Sequence, residues 1–382
     1  MFDTSTITLS MKALRTNLAF IRDRLNGARL CSVVKGNAYG HGFDPFIRMA
    51  MEAGVDYFAV YAAEEALHVL KLLGKNPDLF IMGMVENDAL EWAIEEGIEF
   101  SVFDMDRLER SITIAERIGV PARLHIEVET GMNRTGFDRE ELPAVIGKLL
   151  DDADHVVLKG IFTHFAGAES NVNDRRVRDQ MARFDQAMRT FHAHGLRPGS
   201  AHQACSAAVM NYPSTIGNMA RVGIMQYGFW SNQETWLRYS MGNDVASDPL
   251  RRLITWKSRV MAVKNVRAGE RIGYGDSCEA QHDMRVAVVP VGYAHGFARG
   301  LSNFGQVILR GQKARIAGIV NMNAITIDIS AVEGVEKGDE VILIGHQNGQ
   351  SISVSSFSEM SEQLNYEMLT RLPQSIPRGI TE

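Results

Sequence analysis

Eight short β-rich runs separated by longer helical stretches constrain this chain more than any other feature. The runs are Cys31–Lys35, Tyr57–Tyr61, Leu79–Gly83, Glu99–Phe103, Arg123–Glu129, Leu158–Phe165, Ser200–Ser206 and Ala220–Gly228. Between them lie Ala62–Leu73, Asp88–Glu96, Asp106–Ile118, Glu140–Leu150 and Val177–His194, each repeating its apolar residues at helical spacing. Strand and helix in alternation give parallel strands with crossover helices. Eight such runs predict an α/β fold, a closed (β/α)8 TIM-type barrel over residues 1–235. An open doubly wound sheet competes with it, but no G-x-G-x-x-G follows the first strand, which weakens a dinucleotide-binding version.

The texture then changes. Asn232–Pro249 is polar and reads as a linker. Beyond it, Ile254–Val263, Met284–Pro290, Gln306–Leu309, Ile316–Val320, Ala324–Ile329 and Glu340–Ile344 are short and rich in Val and Ile, which predicts a mostly β C-terminal domain over 250–382. A helical segment, Val354–Leu364, closes it. A two-domain reading suits 382 residues. The net charge of -6, with both signs mixed along the chain, gives no reason to expect nucleic acid or an anionic membrane as partner. No apolar run is long enough to span a bilayer. Met1–Ser10 lacks a basic start followed by an apolar stretch, so no secretory signal is read. Cys31, Cys205 and Cys278 are too widely spaced for a zinc pattern or a CxxC pair, and their odd number suits a reducing compartment. His192 and His194 sit two apart on a helix and do not share a face, so no metal is expected. The chain reads as a cytoplasmic, soluble protein.

Chemistry concentrates in Val33-Val34-Lys35-Gly36-Asn37-Ala38-Tyr39-Gly40-His41-Gly42. A lysine at the end of a first barrel strand faces the mouth where barrel active sites sit. Partly desolvated there, it is poised to condense with a carbonyl group. Taken alone, such a lysine is more often an exposed surface residue. The whole run, however, resembles the cofactor-lysine motif of the alanine racemase family, with Gly36 where the family usually has alanine. Further blocks follow in the family's order: Thr130-Gly131-Met132-Asn133-Arg134-Thr135-Gly136-Phe137, Thr163-His164-Phe165-Ala166, Arg221-Val222-Gly223-Ile224, Tyr227-Gly228, Gly273-Tyr274-Gly275, Gly292-Tyr293, Arg299-Gly300-Leu301-Ser302-Asn303, Asn321-Met322-Asn323 and Asn365-Tyr366-Glu367.

The resemblance implies an isomerase, an amino-acid racemase that uses pyridoxal 5'-phosphate to interconvert L- and D-alanine. It implies that Lys35 carries the cofactor and is one catalytic base, and that Tyr274 is the other. It assigns Arg221 to the pyridine nitrogen. It assigns Tyr39, Ser206, Gly223, Ile224 and Tyr366 to the phosphate, and His164 to the neighbourhood of Tyr274 and the ring. Arg134 falls beside the ring hydroxyl, while Met322 falls near the substrate carboxylate and Asn323 near the substrate pocket. It also implies a head-to-tail homodimer with shared sites. Physically, inverting Cα needs acid–base groups on both faces of a planar centre. A phenol with an ordinary pKa near 10 needs help from groups such as His164 and Arg134. Each of Tyr274, Tyr366 and Tyr39 taken singly would more often be a packing tyrosine, and His164 a core histidine.

Four positions depart from the family pattern. Glu127 stands where the family often has a carbamylated lysine, an anion that holds the neighbouring arginine. A carboxylate can accept two parallel bonds from a guanidinium, so a Glu127–Arg134 pair is expected. Cys205 replaces an asparagine, Asn323 an aspartate, and His295 an aspartate. These departures bear on the substrate, so a racemase of larger or more varied amino acids is the alternative. A decarboxylase of the same architecture would carry a glutamate at the pyridine nitrogen rather than Arg221. A non-catalytic cofactor carrier would consist of the barrel alone.

Overall fold

The computed structural model describes residues 3–74, 78–243, 247–354 and 365–382. By contact the chain divides into two compact units. One comprises Lys12–Gly36 and Ile47–Arg252; the other comprises Met1–Met11, Asn37–Phe46 and Leu253–Glu382.

The first unit is the barrel. Its strands are β2 (Arg29–Val33), β3 (Tyr57–Val60), β4 (Asp78–Ile81), β5 (Glu99–Val102), β6 (Ala122–Glu127), β7 (Val156–Phe162), β8 (Ser200–His202) and β9 (Met219–Val222), after an N-terminal β1 (Ser5–Ser10). They run in the order β8-β7-β6-β5-β4-β3-β2-β9, each pair parallel. The seam between β8 and β9 is drawn together by a bridge between Cys205 and Arg221, where the Arg221 N–H donates to Ala204 O at 3.0 Å. The strands are buried on both faces, which is why they read in the sequence as continuous apolar runs. Helices Ala63–Leu73, Asn87–Glu95, Met105–Ile118, Leu142–Asp151 and Asp174–Ala193 form the crossovers. The Met105–Ile118 helix shows how sequence sets such an element: Asp104 accepts the Arg107 N–H at its start, and Gly119, at φ 70°, ends it in the left-handed region.

The second unit is mostly β. β10 (Ile254–Arg259), β11 (Ala262–Val266), β12 (Met284–Val289), β13 (Gln306–Leu309), β14 (Gln312–Arg315), β15 (Ile325–Asp328), β16 (Glu340–Gln347), β17 (Gln350–Ile352) and β18 (Arg378–Thr381) build a sheet β14-β13-β16-β10-β1-β18, with β17 on β16, and a second sheet β11-β12-β15. β1, absent from the runs read above, pairs antiparallel with β10 and parallel with β18.

Three local expectations change. The segment read as a linker holds a helix, Gln233–Asn243. Asn232 Oδ1 accepts the Thr235 N–H at 2.8 Å to start it, and Trp236 and Tyr239 pack on Trp230 with ring centroids 5.3 Å away in both cases. Aromatic packing on one face outweighs the polar composition that suggested a linker. Ile316–Val320 is no strand; Ile316 makes only an isolated bridge to Ile327. The expected Val354–Leu364 helix lies, beyond Val354, outside the described residues.

Candidate active site

Lys35 lies two residues past the end of β2, at the C-terminal mouth of the barrel. The strand end is pinned: Val34 N–H donates to Ala59 O at 2.8 Å, and Val33 O accepts from Gln226 Nε2 at 2.9 Å and the Tyr227 hydroxyl at 3.1 Å. Glu65 then receives the Gly36 N–H at 2.7 Å and the Tyr61 N–H at 2.8 Å. Lys35 as a residue is exposed, but its ammonium is closely surrounded by protein and lies 5.9 Å from the centre of the Tyr61 ring. Desolvation and the charges of Arg134 and Arg221 lower its pKa, against the opposing pull of Glu65. A lowered pKa raises the fraction of nucleophilic amine at neutral pH.

Lys35–Tyr39 forms one turn of helix, and Gly36, Asn37, Ala38 and Tyr39 have φ of 64°, 55°, 52° and 51°, so the turn is left-handed. Such a conformation costs about 1–2 kcal/mol for each residue bearing a Cβ, and the following residues hold it. Asn37 Oδ1 accepts the Phe43 N–H at 3.0 Å, and Asn37 O accepts the Gly42 N–H at 2.9 Å. Buried His41 directs Nδ1 at the Ala38 and Tyr39 carbonyls, 3.1 and 3.0 Å away, so that nitrogen carries the proton. Arg378 donates to Gly40 O through Nε and Nη2 at 3.0 and 2.9 Å. Gly40 is obligatory: a Cβ there would lie 1.8 Å from Leu369 O. The turn brings the Tyr39 and Tyr366 rings to 5.9 Å, uniting two of the expected phosphate residues.

Arg221 lies on β9 beside β2, only 4% exposed. Nη1 donates to His202 Nδ1 at 2.5 Å and His202 O at 2.7 Å; Nη2 donates to Thr163 O at 2.7 Å and, at 3.5 Å, to His164 Nδ1. The guanidinium is thus held rigidly and stays a pure donor. Burial, together with the charges of Arg221, Arg134 and Lys35, lowers the pKa of His164 to about 3. His164 is therefore neutral at neutral pH, and anything it contributes to a phenolate it contributes as an N–H dipole, not as a cation. One turn further, Ser206 Oγ accepts the Gly223 N–H at 3.0 Å, which leaves the hydroxyl proton for a ligand. Ile224 opens a short 3-10 turn, so its own N–H is not consumed by that turn.

The expected Glu127–Arg134 ion pair is not formed among the described residues. Buried Glu127 is hydrogen-bonded to Thr135, while Arg134 is near enough for its charge to act on it. Burial raises the Glu127 pKa against these two partners and Arg221. The Gly131 turn carries Arg134 outward, and its N–H is taken by Glu129 Oε2 at 3.4 Å.

Tyr274 belongs to the other unit. It sits between Gly273 and Gly275, at φ 78° and 63°, on a loop closed by the Ile272 N–H to Cys278 O bond of 2.9 Å. Its side chain is 72% exposed, so it is displayed, not packed. Met322 and Asn323 are exposed on a turn closed by Asn321 N–H to Ala324 O at 3.0 Å. That turn is joined to the Gly292-Tyr293 block by the Ala294 N–H to Met322 O bond of 3.0 Å. His295 accepts the Gly292 N–H at 3.2 Å.

These residues suit pyridoxal phosphate: a lysine with lowered pKa, a buried donor-only arginine one strand away, and hydroxyl and backbone donors beyond it. Sequence reading missed Glu65, Asn37, His41, Arg378 and His202, which hold the named residues in place. Glu65, the third residue of the Ala63–Leu73 helix, offered no signal of its own.

A family profile described as alanine racemase, N-terminal domain, matches residues 9–230, and the corresponding C-terminal domain matches 253–380. The chain belongs to the alanine racemase family. An alanine racemase of Leptospira interrogans is 32% identical over 380 residues, covering 99% of this chain and 96% of its own. One of Symbiobacterium thermophilum is 33% identical over 373 residues, covering 97% and 95%. Among solved structures, the alanine racemase of Streptomyces lavendulae superposes with a TM-score of 0.90 at 27% identity, covering 100% of this chain and 98% of its own. That of Bartonella henselae, with covalently bound pyridoxal phosphate, gives 0.83 at 25% identity over 99% of each chain. As in alanine racemases generally, the barrel is followed by a β domain, so the fold class read from the sequence holds.

Proposed function

We propose that this chain interconverts L- and D-alanine with pyridoxal 5'-phosphate, Lys35 and Tyr274 acting on opposite faces of Cα. The observation that carries the reading is Lys35 at the mouth end of β2 beside buried Arg221 on β9, in a chain of the alanine racemase family. When bound, pyridoxal phosphate would supply an electron-accepting ring beside Cα. Lys35 would hold it, and Tyr39, Tyr366, Ser206 and the Gly223 and Ile224 backbone would hold its phosphate. Arg221 keeps its own proton and leaves the ring nitrogen unprotonated. An arginine in that place would favour prompt return of the proton to Cα and limit side reactions. Lys35 takes or gives the proton on one face and Tyr274 on the other. Arg134, Met322 and Asn323 would orient the substrate.

The reading includes a head-to-tail homodimer in which Tyr274 serves the partner's Lys35. The exposure of Tyr274, Tyr293, Phe304 and Met322 supports a covering subunit. Lys35→Ala and Tyr274→Phe chains, each inactive, should regain part of the activity when mixed and allowed to exchange subunits. A cytoplasmic setting accords with three free cysteines. Among the described residues no helix is long and apolar enough to cross a membrane.

The test is chiral analysis of products from a panel of L-amino acids, with hydride reduction and peptide mapping of the bound cofactor. Racemised alanine and label on Lys35 are expected. Label on another lysine overturns the site. Faster turnover of larger amino acids would favour the alternative that Cys205 and Asn323 raise.

A further inference from the structure

A line of buried polar side chains crosses the barrel from its N-terminal end to Arg221. Glu99, the first residue of β5 and 2% exposed, receives Arg123 Nη2 at 2.8 Å and Lys159 Nζ at 3.0 Å on one oxygen. Its other oxygen receives the Tyr57 hydroxyl at 2.6 Å and lies 2.8 Å from His125 Nε2. His125 Nδ1 lies 2.9 Å from His202 Nε2, and His202 Nδ1 lies 2.5 Å from Arg221 Nη1. Phe80 packs on His125 at 4.2 Å, and Phe162 stacks on His202 at 5.0 Å.

The two ends dictate the direction of every bond between them. Arginine can only donate, so His202 Nδ1 accepts and its proton sits on Nε2. That proton is given to His125 Nδ1, so the His125 proton also sits on Nε2 and is given to Glu99, which as a carboxylate can only accept. A proton added to either imidazole would set two donors against each other. Burial lowers the pKa of both histidines, in line with this arrangement. The room for it comes from Gly160: a Cβ there would lie 2.3 Å from His125 Nδ1.

We propose that Glu99, at the end of the barrel opposite Lys35, is a positioning residue: it sets the polarity of the Glu99–His125–His202 chain and so fixes the guanidinium of Arg221. The role rests on the reading that Arg221 faces the cofactor ring. Without the acceptor at Glu99, His125 is free to turn its proton toward His202. His202 then loses its single tautomer, and Arg221 loses an acceptor for Nη1.

The groups that face this chain are Tyr57, Arg123 and Lys159 at its foot. At its head are the Thr163 and Gln203 carbonyls and His164 around Arg221, with the Cys31 and Cys205 thiols beside it and Glu127 and Arg134 acting on it through charge.

The experiment uses holoenzyme labelled with ¹⁵N-histidine. Long-range ¹⁵N–¹H correlation reads tautomers directly, with peaks assigned by His125→Gln and His202→Gln. Both histidines should be neutral with the proton on Nε2 between pH 6 and 8. A proton on Nδ1 of either, or a charged ring at pH 7, overturns the proposal. Glu99→Leu, loaded with pyridoxal phosphate, should shift the cofactor absorption spectrum and lower kcat roughly 2- to 30-fold, with KM little changed. Glu99→Gln retains an acceptor and should restore most of both. A Glu99→Leu enzyme with parental spectrum and kcat also overturns the proposal. If Glu99→Leu does not fold, the parental tautomers and the Glu99→Gln spectrum decide. Tautomers as described in a protein that does not racemise alanine would sink the proposed function and leave the chain standing.

Discussion

Glu65 holds the backbone that follows Lys35, its carboxylate taking the Gly36 N–H at 2.7 Å and the Tyr61 N–H at 2.8 Å. One side chain thereby ties the first residue of the left-handed turn to the end of β3. Glu65→Ala frees both N–H groups. Water can reach this mouth, so the stability cost is modest, about 1 kcal/mol. The larger effect is on function, because Lys35 hangs from the loosened peptide. Glu65→Ala should load pyridoxal phosphate several-fold more weakly, and Glu65→Gln should recover only part of that. Apoenzyme titration with the cofactor, read by absorbance, measures both.

Tyr274 stands on its loop with 72% of its surface open, between two glycines of positive φ. Replacing its hydroxyl removes little packing, so Tyr274→Phe should fold and bind cofactor like the parent. Racemisation should fall by a factor of roughly 10²–10⁴. The loss should be lopsided: solvent exchange of the α-proton should persist for the enantiomer served by Lys35 and fade for the other. Equal residual exchange from both enantiomers, followed by proton NMR in deuterium oxide, would remove Tyr274 from its assigned face.

The barrel was legible because parallel strands covered on both faces leave continuous apolar runs; Tyr57–Tyr61 and Glu99–Phe103 as read differ from β3 and β5 by one residue at one end. β1 was not, because its partner β10 lies some 250 residues further on and nothing local marks the pair. The place of Lys35 at the end of a barrel strand was legible in its motif, while Arg221 and Tyr274 were picked out only by the family resemblance. Glu99, His125 and His202 were not, since no local motif marks them and the meaning of each depends on partners from other strands. The linker reading failed at Trp236 and Tyr239, where composition over a window hid an aromatic face.

Acid should destabilise the fold through its buried neutral histidines. Burial lowers the pKa of His41 to about 4, against the help of the Tyr39 and Ala38 carbonyls, while in the unfolded chain it is near 6.5. Between these values the unfolded chain binds more protons, so stability is full above about pH 6.5 and falls as pH drops toward 4. His41 alone should cost about 2 kcal/mol between pH 7 and pH 5. In His41→Asn an amide can replace the Nδ1 donor without titrating. Urea unfolding of the apoenzyme at the two pH values should show a smaller difference for this variant. An unchanged difference would mean that other groups govern the acid response.

The charge of Glu127 can be separated from its shape. Its carboxyl bonds to Thr135, with Arg134 and Arg221 acting on it from further away. Burial raises its pKa, yet two cations nearby favour the ionised form, so removing the charge should be felt by both arginines. Glu127→Gln keeps an acceptor for Thr135 and deletes the charge. Arg134 should then be held less firmly, and turnover should fall by roughly 2- to 30-fold, the usual range for a residue acting through another. Thr135→Val breaks the hydrogen bond while keeping the charge and should cost less turnover. Glu127→Lys restores the residue common in the family, and its activity should rise with added bicarbonate if the site can carbamylate it. Steady-state racemisation of alanine with and without bicarbonate reads all three variants. If Glu127→Gln turns over like the parent, the carboxylate is there for Thr135 and the barrel wall, and the family's carbamate has no counterpart in this chain.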